Sequence, residues 1–513
     1  MSTWNDTRRI AVRLVVTGSL KLETPAHLGS GEPGETVDMA LLKDASEDRP
    51  LLPGTSIAGA LRSYLRAYER GDFGAEHKSG MAALLFGGTK GKHKGEPSPK
   101  SADEGEQSPL MVDDALGQQQ TTSEVRDGVR IDPVTRTAKN DFKFDIELLP
   151  PGTIFPLRFE LLLPDDAVKA KQLKAALFLA LHGLEQGEIP IGARKTRGFG
   201  RCSVEAWQIA TYRLCESRSD LLAWLAADHP DWGYALTSEQ IPTEKAEQVL
   251  GAGLQQQNSR KHFTIRATGG KLHKRYLGKT QDQRKRFTIR ATFALESPLL
   301  IRSEEPLTDS GNQPDVAHLR DGEKKPIISG TSLAGALRAR AGRILSAIGH
   351  PKRDVFLEGM FGKDMQRDPK HPTASRLIVH EARIEAGKPL VQNRVRIDRF
   401  TGGAFDTALF GEAPHVGGTV TLTLTLRAPK DAEKGLLMLL LKDLWTGDLP
   451  LGGTASIGRG RLCGTSAKIC DEGKEWAIKV EATEAHRLQL PDAARTRLEA
   501  YVGALKKEGT DAR

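Results

Sequence analysis

A chain of 513 residues is too long for one ordinary hydrophobic core and suits two or three domains. Its 38% hydrophobic and 27% charged residues are a globular composition; it has no apolar run of the roughly 18 residues needed to span a membrane, and its first ten residues do not read as a signal peptide. Lysine and arginine outnumber the acids 74 to 66, which permits a polyanionic partner, while only 5% aromatic residues argue against gripping bases mainly by stacking.

In chain order, Arg9 to Leu22 alternates like a strand. Thr55 or Ser56 is placed to cap a helix whose apolar face includes Ile57, Leu61 and Leu65. About 88–108 is Gly, Pro, Lys, Ser and Glu without apolar periodicity, the composition of a disordered insertion. A strand from Phe155 to Leu163, a helix from Asp166 to Glu185 and a strand from Gly198 to Trp207 follow. A joining segment, 210–285, carries a short helix from Asp220 and most of a basic tract, Lys271 to Arg286. Phe-Thr-Ile-Arg-Ala-Thr occurs at 263–268 and again at 287–292, where it opens a second strand-helix-strand-helix-strand series: Arg286–Leu295, Ser332–Leu345, Thr419–Leu426, Asp431–Thr446 and Arg459–Ile469. The expected domains are 1–209 and 286–513, the second ending in a helix. The fold class is α+β, two tandem ferredoxin-like (RRM-like) domains. The four cysteines, Cys202, Cys215, Cys463 and Cys470, form no C-x-x-C pair; this speaks against structural zinc and for a reduced, cytoplasmic setting.

The two halves repeat each other block by block. PLLPGTSIAGALR from Pro50 returns as PIISGTSLAGALR from Pro326. Leu85-Phe86-Gly87 returns as Met360-Phe361-Gly362, and Val129-Arg130-Ile131-Asp132 as Val395-Arg396-Ile397-Asp398. GEIPIGARKTRGFGR from Gly187 returns as GDLPLGGTASIGRGR from Gly447. Five such matches in one order, counting Leu22-Glu23-Thr24-Pro25 and Leu295-Glu296-Ser297-Pro298, mean duplication and fusion.

Each shared block has a chemical and a plain reading. Thr55, Ser56, Thr331 and Ser332 open helices whose free N–H groups attract phosphate, with Arg62 and Arg338 six residues beyond the serines; the plain reading is capping beside solvated arginines. The glycine loop from Gly192 to Gly200 carries Arg194, Lys195 and Arg197, cations suited to a phosphate chain, and its counterpart carries Arg459. Arg130 and Arg396 sit on a candidate protruding hairpin or form ordinary surface pairs with Asp132 and Asp398. Asp38 and Asp315 lie in the loop between first strand and first helix, where a carboxylate orients a ribose hydroxyl or is simply solvated. His27 faces Leu300 in the second copy, so no role common to both halves needs it.

Together these blocks resemble the Cas-seven-type backbone subunits of the RAMP superfamily, found in type III CRISPR effector complexes, and the fused layout resembles subtype D. VDMALLKD, PGTSIAGALR, RID and GARKTRGFG carry the resemblance, then PDVAHLRD, SGTSLAGALR, RIDRFTGGAF and GGTASIGRG. It implies a guide-RNA-binding subunit beside other RAMP-like subunits and a large subunit. A thumb hairpin would kink the guide–target duplex. Asp38 and Asp315 would cut target single-stranded RNA with Mg2+ or Mn2+ support, and Asp132 and Asp398 rank second. Ala58 and Ala334 stand where the family often has Lys or Arg, and Pro314 precedes Asp315 where Val37 precedes Asp38. Two other readings are a non-catalytic scaffold of the same complex and an endoribonuclease that matures guide precursors.

Overall fold

The computed structural model describes residues 10–34, 37–77, 79–88, 107–118, 123–132, 135, 137–226, 263–265, 282–303, 314–363, 373–480, 488–489 and 491–510. The expected insertion falls mostly outside them, as does the basic tract before 282. Among the described residues no helix is long and apolar enough to cross a membrane.

The first half builds β1 (Ile10–Leu22), α1 (Gly54–Arg70), α2 (Met81–Phe86), β2 (Leu110–Val112), the hairpin β3 (Glu124–Ile131) and β4 (Ala138–Leu148), β5 (Ile154–Pro164), α3 (Ala167–Glu185), β6 (Cys202–Arg213), α4 (Arg218–Ala226) and β7 (Phe263–Ile265). The sheet order is β2-β5-β1-β6-β7. β1 pairs antiparallel with β5 and β6, Val16 lying between Phe159 and Ile209. This is the ferredoxin-like order, with β7 added at the edge. The copy of Phe-Thr-Ile at 263–265, which pattern alone does not explain, thus extends the first sheet by pairing with Trp207–Ile209.

The second half gives β8 (Arg286–Leu295), α5 (Gly330–Ala347), α6 (Arg353–Phe361), β9 (Leu377–Val379), the hairpin β10 (Gln392–Ile397) and β11 (Ala404–Ala413), β12 (Thr419–Arg427), α7 (Asp431–Trp445), β13 (Leu462–Asp471), β14 (Lys474–Val480) and α8 (Asp492–Thr510). Its core order is β9-β12-β8-β13, followed by β14. The architecture is therefore α+β with two ferredoxin-like cores in tandem. Each buries its own cluster: Phe155, Phe159 and Trp207 in the first, Phe287, Phe293 and Trp445 in the second. An edge-on aromatic pair anchors each, Phe159–Trp207 at 5.9 Å and Phe293–Trp445 at 6.0 Å.

Two expected boundaries move. Pro53, not Thr55 or Ser56, is the N-cap of α1, and the Gly54 N–H donates to Asp114 at 2.6 Å instead. In α5 the cap is Ser329, which accepts from the Ser332 N–H. Each glycine loop contains a short 3-10 turn, Lys195–Arg197 or Ala455–Ile457, and the closing strands start later than expected, at Cys202 and Leu462, because left-handed glycines, Gly198 and Gly200 or Gly460, still turn the chain before them.

Candidate RNA-binding groove and loop aspartates

Asp38 and Asp315 occupy the same place in their copies. Asp38 is exposed, and its Oδ2 accepts the Asp145 N–H of β4 at 2.9 Å. Asp315 is exposed, and its Oδ2 accepts the Gly411 N–H of β11 at 2.6 Å. The next residues continue the match: Met39 bridges Ile146 and Val316 pairs with Glu412, both parallel. Each loop is thus stitched to the second strand of its hairpin, and neither Oδ1 has a partner among the described residues.

Around Asp38 lies a groove of about 920 Å³ that also takes in Thr55, Ser56, Gly59 and Lys195. Thr55, Ser56 and Lys195 are exposed. The expected neighbours at the helix start therefore do converge with the aspartate. Phe199 packs with Ile146 and Leu148, with Met39 against them, which locks glycine loop, hairpin and aspartate loop together.

The hairpin residues stand further out. Asp132 Oδ1 accepts the Thr135 N–H at 3.0 Å, and Asp398 Oδ1 accepts the Phe400 N–H at 2.7 Å. They close the turns, five residues beyond the Asp127–Asp145 pair, roughly 17 Å at ~3.3 Å per residue. Arg130 lies 5.3 Å from the Phe142 ring centroid, and Arg396 is exposed. Val125, Val129 and Ile131 in the first hairpin, and Val395, Ile397 and Phe400 in the second, are exposed apolar residues; Phe400 is 99% exposed.

Four residues expected to contact RNA have partners within the chain. Arg62 binds both oxygens of Glu76, at 2.6 and 3.0 Å, and reaches the Gly87 carbonyl at 3.0 Å; Arg338 reaches the Gly362 carbonyl at 2.8 Å. The helix arginine and the Leu/Met-Phe-Gly block recur together because one holds the other. Arg197 points at the second copy: its Nη2 donates to the Phe361 carbonyl at 3.4 Å, and burial, then Arg338 and Arg194, push its pKa down to about 10. Arg459 is buried on Glu412 at 2.8 Å and Gln392 at 2.7 Å, bracing the second hairpin.

The loop glycines also serve the chain itself. A β-carbon on Gly200 or Gly460 would collide with the carbonyl of Ile191 or Leu451, and on Gly192 it would stand 2.5 Å from the His27 carbonyl. The left-handed backbone there demands glycine as well. His27 is buried, its Nδ1 bonds the Glu147 carbonyl at 2.8 Å, and it lines the groove beside Asp38 in the first copy only. Thr331 and Ser332 differ from their counterparts. They are half-buried under the first copy's glycine loop, whose Arg197 carbonyl abuts Gly330.

Arg194 is held 4.5 Å from the Phe144 ring centroid beside the Asp38 loop, and the groove is also lined by Arg284 of the joining segment and by Arg286 and Arg427 of the second half. The basic tract hinted at Arg284 and Arg286, while Arg427 reaches the groove only through tertiary packing. Among the described residues no three His, Cys, Asp or Glu side chains gather as a cation cage.

No curated protein matches the chain. A family model, RAMP superfamily, matches residues 19–203 and 292–463, one region in each ferredoxin-like half and together most of the sequence. The chain belongs to the RAMP superfamily.

Proposed function

We propose that this chain is a guide-RNA-binding backbone subunit of a type III CRISPR ribonucleoprotein, and that it cleaves complementary target RNA at two sites, one beside Asp38 and one beside Asp315. RAMP membership supports the coarse part, a CRISPR-associated RNA-binding subunit. The observation carrying the finer part is the doubled geometry. In both copies an exposed carboxylate is fixed through one oxygen to the hairpin, while the other oxygen has no partner among the described residues. A hairpin that unstacks a duplex would present a splayed ribose to that oxygen. The carboxylate would then orient the 2′-hydroxyl, or take its proton, as it attacks the adjacent phosphodiester and expels the 5′-oxygen. Thr55, Ser56 and Lys195 would hold the strand by its backbone, in keeping with the low aromatic content. Magnesium or manganese would accompany RNA phosphates, not a protein cage.

Other RAMP-like subunits and a large subunit complete the proposed assembly. The second copy's glycine loop supports this: Ile457 is 55% exposed there, whereas the equivalent surface of the first copy is covered by α5.

The scaffold reading has its own support, since a carboxylate that accepts a backbone N–H positions a hairpin without any chemistry. Asn separates the two, because it retains an acceptor oxygen but not the negative charge. The complex would be assembled on a guide with labelled complementary RNA. If Asp38→Asn and Asp315→Asn each erase one cut while target binding persists, the aspartates are catalytic residues. If every cut survives in the double variant, the chain is a scaffold.

A further inference from the structure

The groove beside Asp38 continues along one face of α1, past Ser56, Gly59, Ala60, Ser63 and Ala67. These small residues recur at three- and four-residue steps, so they share a face. From Ser56 to Ala67 the helix rises about 17 Å at ~1.5 Å per residue, room for several nucleotides at ~3.4 Å each. At the far end the wall comes from the second copy, as Arg286 and Arg427 with Arg284.

Arg286 and Arg427 are direct register partners on β8 and β12. Like charges placed opposite each other across a strand pair cost stability unless an anion answers them. Arg284 is already neutralised by Asp282 at 2.6 Å and Glu188 at 2.9 Å. Arg286 also feels Asp282, and among the described residues both arginines feel Asp72, which is not within ion-pair distance of either. Burial holds that carboxyl above its usual range despite the pull of Arg286, then Arg427 and Arg284. Asp72 Oδ2, Arg286 Nε and Arg427 Nε are all buried without a hydrogen-bond partner among the described residues. Arg427 is aimed by its bond to the Ser375 carbonyl at 2.8 Å and by Phe73, 5.2 Å away.

We infer that Arg286 and Arg427 form a phosphate-binding site for the RNA strand running along α1, so that the second copy grips the RNA whose other end lies beside Asp38. The inference rests on the RNA-binding reading above. It makes the groove a joint property of both halves, and it gives Asp72 the role of a counter-charge that RNA displaces.

The test titrates the full chain with fluorescein-labelled single-stranded RNA at several salt concentrations. Arg286→Gln with Arg427→Gln should weaken binding roughly tenfold or more and flatten the salt slope by about 1.4, at ~0.7 per phosphate contact. Asp72→Asn should tighten binding, which a merely structural role would not produce. Arg286→Lys with Arg427→Lys keeps both charges and should keep the slope, separating a lost contact from a lost fold. Lys195→Gln probes the other end. If it weakens binding while the glutamine pair leaves affinity and slope unchanged, the groove binds RNA and this site is overturned. If the wild type binds no RNA, the RNA-binding reading itself falls, and this inference with it. Inorganic phosphate supplies the last arm. If it raises the melting temperature of the wild type but not of the glutamine pair, and RNA affinity ignores the pair, the site takes small anions only and the RNA assignment is overturned.

Discussion

The two glycine loops have the same backbone and different surroundings. Gly192, Arg194 and Gly198 take φ of 76°, 54° and 89°; Gly452, Thr454 and Gly458 take 76°, 58° and 87°. Yet Gly198 is buried against residues 380 and 381 of the second copy, and Gly458 is exposed, with no described residue within 4 Å of where a β-carbon would stand. The cationic loop therefore joins the halves, and the loop with Thr454, Ala455 and Ser456 in its place is left open. Conformation was duplicated with the sequence; the charge and contacts of each loop followed from which neighbour it met.

The largest test of the likeness between copies is the pair of loop aspartates. Asp38→Asn and Asp315→Asn should each slow their own cut by about a hundredfold or more, the lower end of what one positioned acid–base group contributes. Site-resolved product ladders would show it. Pro314 and the buried Arg459–Glu412 brace belong to the second site alone. Unequal residual rates would therefore trace to hairpin setting and not to the carboxylate.

The joint comes next. Arg126, buried in the first copy, holds Glu124 and reaches Glu381 of the second at 2.5 Å. Glu381→Leu would leave that arginine half-answered, at a cost of about 3 kcal/mol, near the low end for breaking a buried pair. Thermal or urea unfolding would measure it, and an unchanged midpoint would mean that Glu124 alone suffices. Gly198→Ala against Gly458→Ala is the paired control. Both positions impose left-handed strain of about 1 kcal/mol. Only at 198 does the new β-carbon also stand 2.5 Å from a backbone nitrogen, that of Glu381. Gly198→Ala should therefore lose roughly twice as much or more. Equal losses would argue that the joint yields freely.

The sequence revealed most of this fold, because the halves corroborate each other: β8 spans Arg286–Leu295 as periodicity predicts, and α3 begins after Asp166. The three-residue edge strands β2 and β9 are too short to carry a pattern. At the candidate site, Asp38, Thr55, Ser56 and Lys195 were legible as shared or clustered polar residues before a helix or in a glycine loop. What the pattern could not show was contact. Arg62, Arg197, Arg338 and Arg459 read as ligands for phosphate, and packing adds the carbonyls and carboxylates that they serve within the chain. Arg427 carried the opposite error: an arginine ending a strand gives no sign that it lines the groove of the other copy.

The smallest predicted effect separates the copies by acid. Leu41 and Leu149 are buried in the first copy where His318 and His415 stand in the second, their rings 5.9 Å apart. Burial pushes His318 down to about 3 from 6.5, with His415 and Arg320 adding to it, and burial also lowers His415. Folding thus favours the neutral ring. Its contribution is complete above pH 6.5 and drains away as pH falls toward 3, by about 1.4 kcal/mol per pH unit. His318→Leu should flatten the acid limb of the stability curve by about that slope. At neutral pH the same change costs stability, because the Ile301 N–H loses its acceptor, His318 Nδ1 at 3.1 Å. The slope, and not the midpoint at one pH, is therefore the readout. Leu41→His in the first copy is the converse and should steepen the limb. If neither variant moves it, the histidines merely fill space that leucine fills in the other half.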